Sequence, residues 1–227
     1  MNKIEFDPKI EKQVAEIRHK LVLRMNGVTA DTMEKAGVNY DRNFGLSHKY
    51  IYEIAQKYTP NMLLAERLYN MNIRETMLIG WLLTPIEELT TELALTRINN
   101  FKNSEIAIFS CKIIEKIVPL QLLIDEIFKS DNVFALITGI QLVTNLMKNN
   151  AVLGDQYLET ISSFLTNDNL DLHLAVARFY KALAHVSPNH KNMIAKKIAM
   201  YENSDSFSKR RLFQDVYTEL EYGEFNY

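Results

Sequence analysis

The chain has 227 residues, 47% of them apolar and 24% charged, with seven glycines and five prolines. That balance supplies enough apolar area for a continuous core, and the shortage of turn residues argues against sandwiches and barrels. A formal net charge of -2 and a pI near 6.2 leave no global field for a polyanion, so any nucleic-acid site has to be a local concentration of Lys and Arg.

Apolar residues recur at spacings of three and four along nearly the whole chain, the mark of one buried stripe per helix. Ile10, Val14, Ile17 and Leu21 give the first stripe, behind Pro8, which suits a first helical turn. Gly27, Gly37 and Gly45 then bracket a short helix and an irregular run, 38–44. Permissive residues clustered in a glycine-poor chain predict a specific loop path there, one that caps the first repeat or touches a ligand. Ile51, Ile54 and Ala55 follow, with Ser47 as N-cap. Ile73, Met77, Leu78 and Leu82 end before Pro85, and Ile106, Phe109, Ile113 and Ile117 end before Pro119. Val133, Leu136, Ile140, Val143 and Met147 form the cleanest stripe, capped by Asp131 or Asn132. Leu158, Ile161 and Leu165 precede Leu172, Val176, Phe179 and Leu183. Ile194, Ile198 and Tyr201, then Phe213, Val216 and Leu220, close the chain, and the acidic run 219–224 is expected to fray. No segment alternates with period two.

Connections such as Thr59-Pro60-Asn61, Asn149-Asn150 and Asn203-Ser204-Asp205 are short and polar, which makes consecutive helices antiparallel neighbours. Pro119 lies 34 residues after Pro85, and Pro188 a further 69 on. A two-helix unit of roughly 35 residues fits a solenoid of HEAT-like type. The expected fold is therefore all-α, a right-handed α-α superhelix of HEAT-like helical repeats, with an uncurved bundle as the alternative. One domain is expected over 1–227: N-terminal helices and the glycine-bracketed loop over 1–46, stacked helix pairs over 47–201, and a capping helix and tail over 202–227.

The single cysteine, Cys111, excludes an intrachain disulfide and reads as a small packing residue in a buried helix. The five histidines, His19, His48, His173, His185 and His190, make no ligand cluster, so neither metal nor cofactor is expected. Residues 1–12 carry no apolar signal region, and the longest apolar run, Val133 to Val143, is too short to span a bilayer. A cytoplasmic chain with no membrane partner is expected.

The run Met33–Tyr58, MEKAGVNYDRNFGLSHKYIYEIAQKY, followed by LLAERLYNMNIRETMLIGWLLTPIEEL, resembles the DNA alkylation repair family, the AlkD-type HEAT-like repeat glycosylases. Three features carry the likeness, in order and at similar spacing: a Gly-terminated short helix, an Asn-Phe-Gly turn before a capped helix, and a helix opening Ile73-Arg74-Glu75. Close likeness covers roughly Met33 to Thr90; beyond it only helix rhythm and length agree. The resemblance implies a HEAT-like repeat fold, duplex DNA held in a basic concave groove, and excision of cationic alkylated purines. In that family an Asp supports the developing oxocarbenium ion, with tryptophans beside it and an Arg on the DNA backbone, since a cationic transition state needs a carboxylate and aromatic faces.

Carried over residue by residue, that site is lost. Ser104 takes the first Trp position, Ile108 the Asp position and Ile137 the Arg position, while the second Trp position falls near Tyr180 or Lys181. Trp81 is the only tryptophan and reads as helix packing. Glu105, one residue from the missing Trp, offers a displaced carboxylate, but a glutamate favoured by the helix dipole explains it more simply. The expected function is thus a non-catalytic module on the phosphate backbone of damaged, distorted or branched double-stranded DNA, through Arg42, His48, Lys49, Lys102, Lys181 and Lys191. Two alternatives stand beside it: an alkylpurine DNA glycosylase with a rearranged site, and a protein-interaction scaffold.

Overall fold

A computed structural model describes residues 7–117, 119–148, 150 and 152–225. The N-terminal residues 1–6 and Asn149, which figured in the readings above, lie outside them. Among the described residues every regular element is helical, and the sole β-type pairing is an isolated bridge between Arg42 and Ile73. Contacts group the chain into two compact units, Met1–Val118 and Pro119–Tyr227.

The first unit contains α1 (Pro8–Val22), α2 (Gly27–Lys35), α3 (His48–Ala55), α4 (Met62–Tyr69), α5 (Arg74–Leu82), α6 (Thr91–Asn99) and α7 (Ser104–Ile114). Helix α5 is its hub, packing on α3, α4 and α7. Leu64, Ala65 and Leu68 of α4 and Leu78, Ile79 and Trp81 of α5 are all sealed from solvent. Gly80 permits that close approach: a Cβ there would stand 2.8 Å from the Ala65 carbonyl oxygen. Trp81 is 0% exposed, edge-on to the rings of Tyr69 and Phe101, with the Arg97 guanidinium 5.0 Å from its ring. It is a packing residue, as its helical stripe predicts.

Short polar caps set where these helices start. The side chains of Asp7, Asn26, Ser47, Asn61, Thr90 and Asn103 each accept a hydrogen bond from a backbone N–H of the first turn, at about 1 kcal/mol apiece. Helix α5 differs. Ile73 stands at its N-cap and offers no such group, and the Arg74 amide instead donates to the Arg42 carbonyl at 2.9 Å. A distant loop caps this helix.

The second unit contains α8 (Leu120–Ile127), α9 (Val133–Met147), α10 (Val152–Ser163), α11 (Leu170–Ala184), α12 (Pro188–Ile198) and α13 (Phe207–Tyr222). Helix α11 lies against α9 and α13 and buries Val176, Phe179, Tyr180 and Leu183. Cys111 in the first unit is buried and bonds its sulfur to the Ala107 carbonyl, in keeping with a packing role. One expectation fails: the acidic end does not fray at 219. Helix α13 continues to Tyr222 because Leu220 is buried and Glu219 pairs with His185 at 2.8 Å. Helices α4, α6 and α8, of eight, nine and eight residues, add to the helices whose stripes were assigned from the sequence.

Candidate nucleic-acid interface

Residues 39–46 run between α2 and α3 with no regular structure, yet their backbone is fastened at residues 39, 42, 44 and 46. Glu75, 0% exposed, accepts from the Phe44 amide at 3.0 Å and the Leu46 amide at 3.2 Å. Arg74, 2% exposed, donates to the Leu46 carbonyl at 2.8 Å and to Glu75 at 2.8 Å. The Arg42 carbonyl caps α5, and the Asn39 carbonyl accepts from the Asn103 side-chain amide at 2.8 Å. Gly45 completes the path at φ +72°, where a Cβ would lie 2.2 Å from the Asn26 carbonyl oxygen. The Asn-Phe-Gly turn and the Ile-Arg-Glu helix opening, separate in sequence, are therefore one object. The first supplies bare backbone groups; the second supplies the charges that satisfy them.

The far side of Arg74 grips Glu105. Nε donates to both carboxylate oxygens, at 3.1 and 2.8 Å, and a terminal nitrogen donates as well. His48 Nε2 adds a contact at 2.8 Å. Burial on its own raises a carboxylate's pKa, but hydrogen bonds from Arg74 and then His48 outweigh it and hold Glu105 at about 2. Burial likewise works against the charged Arg74, and the carboxylates of Glu105 and Glu75 more than compensate, so its pKa rises. Tyr40 stands beside this cluster. Burial first, and then the Glu105 charge, push its phenol well above the usual range; the buried hydroxyl makes no hydrogen bond of normal geometry.

Glu105 is thus more than a dipole-favoured helix start. It is one end of a buried ion pair that reaches back 31 residues. The sequence did hold a signal for it: Arg74, Glu75 and Thr76 fall in succession at the head of an otherwise apolar helix, and all three are buried. Charges in such a place need partners.

Ser104 opens α7, Ile108 is 37% exposed on it, and Ile137 and Tyr180 are each 0% exposed in the second unit. Of the six candidate phosphate contacts, four lie around the pinned loop. Arg42 and Lys49 are exposed with no ion-pair partner among the described residues, Lys102 stands 3.6 Å from Asp41, and His48 faces Glu105. The other two belong to the second unit. Lys181 is held by Asp215 at 2.9 Å, so a phosphate contact there must first break that pair; the Lys191 ammonium lies 4.3 Å from the Phe225 ring centroid. Among the described residues no His, Cys, Asp and Glu group could hold a metal, and no helix is long and apolar enough to cross a membrane.

The helix order defines the class: an all-α protein of HEAT-like helical repeats. The specific likeness is to a solved structure described as a new family of proteins related to the HEAT-like repeat DNA glycosylases with affinity for branched DNA structures. The two agree with a TM-score of 0.72 over 94% of this chain and 97% of that one, at 16% sequence identity, a level that establishes the fold alone. No family model matches the sequence, and no curated protein matches it significantly.

Proposed function

We propose that this chain is a DNA-binding module that contacts the phosphate backbone of distorted or branched DNA and performs no base excision. The observation behind the second half is the Arg74 grip on Glu105. A carboxylate that is to steady a cationic sugar must keep its charge unspent and lie against aromatic faces. Glu105 already neutralises a buried guanidinium, and the only tryptophan is sealed in the core. Support for a DNA partner comes from the fold shared with a protein whose family has affinity for branched DNA, together with Arg42, Lys49 and Lys102 around one rigid loop. Contacts of this kind give salt-sensitive binding with little sequence readout.

The test is a gel-shift titration against linear duplex, three-way and four-way junctions at two salt concentrations. Junction binding that weakens with salt is expected; no binding to any form at low salt overturns the reading. Incubation with alkylated duplex is expected to release no methylated base above a no-protein control, and release would return the glycosylase reading to first place.

A further inference from the structure

A cavity of about 260 Å³ opens beside the pinned loop. Asn39 and Tyr40 line it from that loop, Tyr69, Asn70 and Asn72 from the end of α4 and the turn after it, and Lys102 from the approach to α7. The amides of Asn39, Asn70 and Asn72 make no side-chain hydrogen bond with other described residues. Asn72 has φ +52°, in the left-handed region, so the turn that holds it is specific.

This lining selects a ligand by its chemistry. Each free amide carries donor and acceptor on one planar group, which matches the edge of a nucleobase. Tyr40 and Tyr69 add ring surface to the lining, and a base stacks on a tyrosine ring whatever its identity, although the Arg97 guanidinium already lies over Tyr69, 5.0 Å from its centroid. A purely apolar guest would leave the amides unpaired, and a bare anion would find its cations only at one side. Those cations are Lys102, which lines the cavity, and Arg42, adjacent in sequence to the lining residue Asp41. The volume lies just under the range of about 300–1,000 Å³ typical of drug-sized pockets, so one heterocycle fills it.

We infer that this cavity receives a single unpaired nucleotide, its base among Tyr40, Tyr69, Asn70 and Asn72 and its phosphate at Lys102 and Arg42. The inference rests on the DNA reading above and sharpens it: a branch point can expose an unpaired nucleotide, and a linear duplex does not.

The experiment measures affinity for a three-way junction with one unpaired adenine at its branch, for the same junction fully paired, and for linear duplex. Each is repeated with the double variant Asn70→Ala/Asn72→Gly, in which glycine keeps the left-handed backbone, and with Asn39→Ala as a milder second variant. A thermal melt of each confirms folding. The unvaried protein is expected to prefer the unpaired adenine. The double variant should lose about tenfold of that preference, the size of one good amide-to-base contact. Titration with dAMP alone, followed by amide NMR shifts in 39–42 and 70–72, separates a free nucleotide from one embedded in DNA. A preference that is absent, or is unchanged in both variants, overturns the inference and leaves the DNA reading standing. Shifts with dAMP but no binding to any DNA would retain the nucleotide site and remove the DNA reading. Neither dAMP shifts nor DNA binding would remove both.

Discussion

Arg74 and Glu75 in the first unit and His173 in the second are all shut away from solvent, yet they are treated in opposite ways. The first pair keeps its charges, and Arg74 and Glu75 bond to each other, to Glu105 and to the loop backbone. His173 is denied that. Both its ring nitrogens lack a hydrogen bond of normal geometry, and burial, only partly opposed by nearby Asn167 and Asp168, lowers its pKa so that the ring stays neutral. The difference follows the backbone each must serve. His173 lies in the first turn of α11, where its amide donates to the Asn169 carbonyl and the Asn169 side chain caps Leu172. Around Arg74 the chain is an irregular loop, and a loop whose backbone groups face inward needs fixed charges to bind them. The first unit therefore fixes a loop path with buried ions, whereas His173 of the second is buried without charge.

The sharpest way to break this contrast is Glu75→Ala. It leaves a buried guanidinium half-paired and the Phe44 and Leu46 amides without acceptors. A loss of about 3–5 kcal/mol is expected, as for removal of one partner from a buried ion pair. Denaturant unfolding gives its size, and hydrogen exchange should quicken first at residues 44 and 46. A loss under about 1 kcal/mol would mean that the loop holds its path without these charges.

Glu105→Gln comes next, at about 2–3 kcal/mol, because the carboxylate is 12% exposed and water can replace part of what is lost. It also carries a pH signature. The Glu105 pKa falls from 4.5 to about 2 on folding, so its stabilisation is complete above 4.5 and disappears as pH drops from there toward 2. The variant should lose that part of the acid dependence. Equal acid slopes in both proteins would place the pair outside the folded-state balance.

His173→Leu tests the other half of the comparison. An imidazole that makes no hydrogen bond of normal geometry contributes little beyond its volume, so stability at neutral pH should change by less than about 1.5 kcal/mol. The folded pKa is lowered below 6.5; the unfolded chain therefore binds the proton more readily, and stability falls as pH drops below 6.5. Leucine should abolish that decline. A large loss at neutral pH would instead reveal a hydrogen bond worth keeping.

These sites also mark where sequence reading stopped. The stripes of α9 and α11 run through four turns each and could be read directly, as could the cap Ser47; the cap of α9 was narrowed to Asp131 or Asn132, and it is Asn132. The glycine-bracketed segment was recognisable as a special loop, because Gly45 requires positive φ. Its path was not, since the groups that fix it lie 28 to 64 residues away, beyond any local period. The cavity was hidden for the same reason: Asn39, Asn70 and Lys102 meet only through tertiary packing.

Lys102→Ala has the smallest expected effect on folding and for that reason isolates function best. Its side chain is 73% exposed and its ammonium lies 3.6 Å from Asp41, so the pair is worth well under about 1 kcal/mol and the melting curve should hardly move. If the residue meets a phosphate, DNA binding should weaken for every form, and the slope of log affinity against log salt should shrink by about one. An unchanged salt slope would remove Lys102 from the interface. The cations that matter for binding would then have to be sought elsewhere than beside the loop the buried ions hold in place.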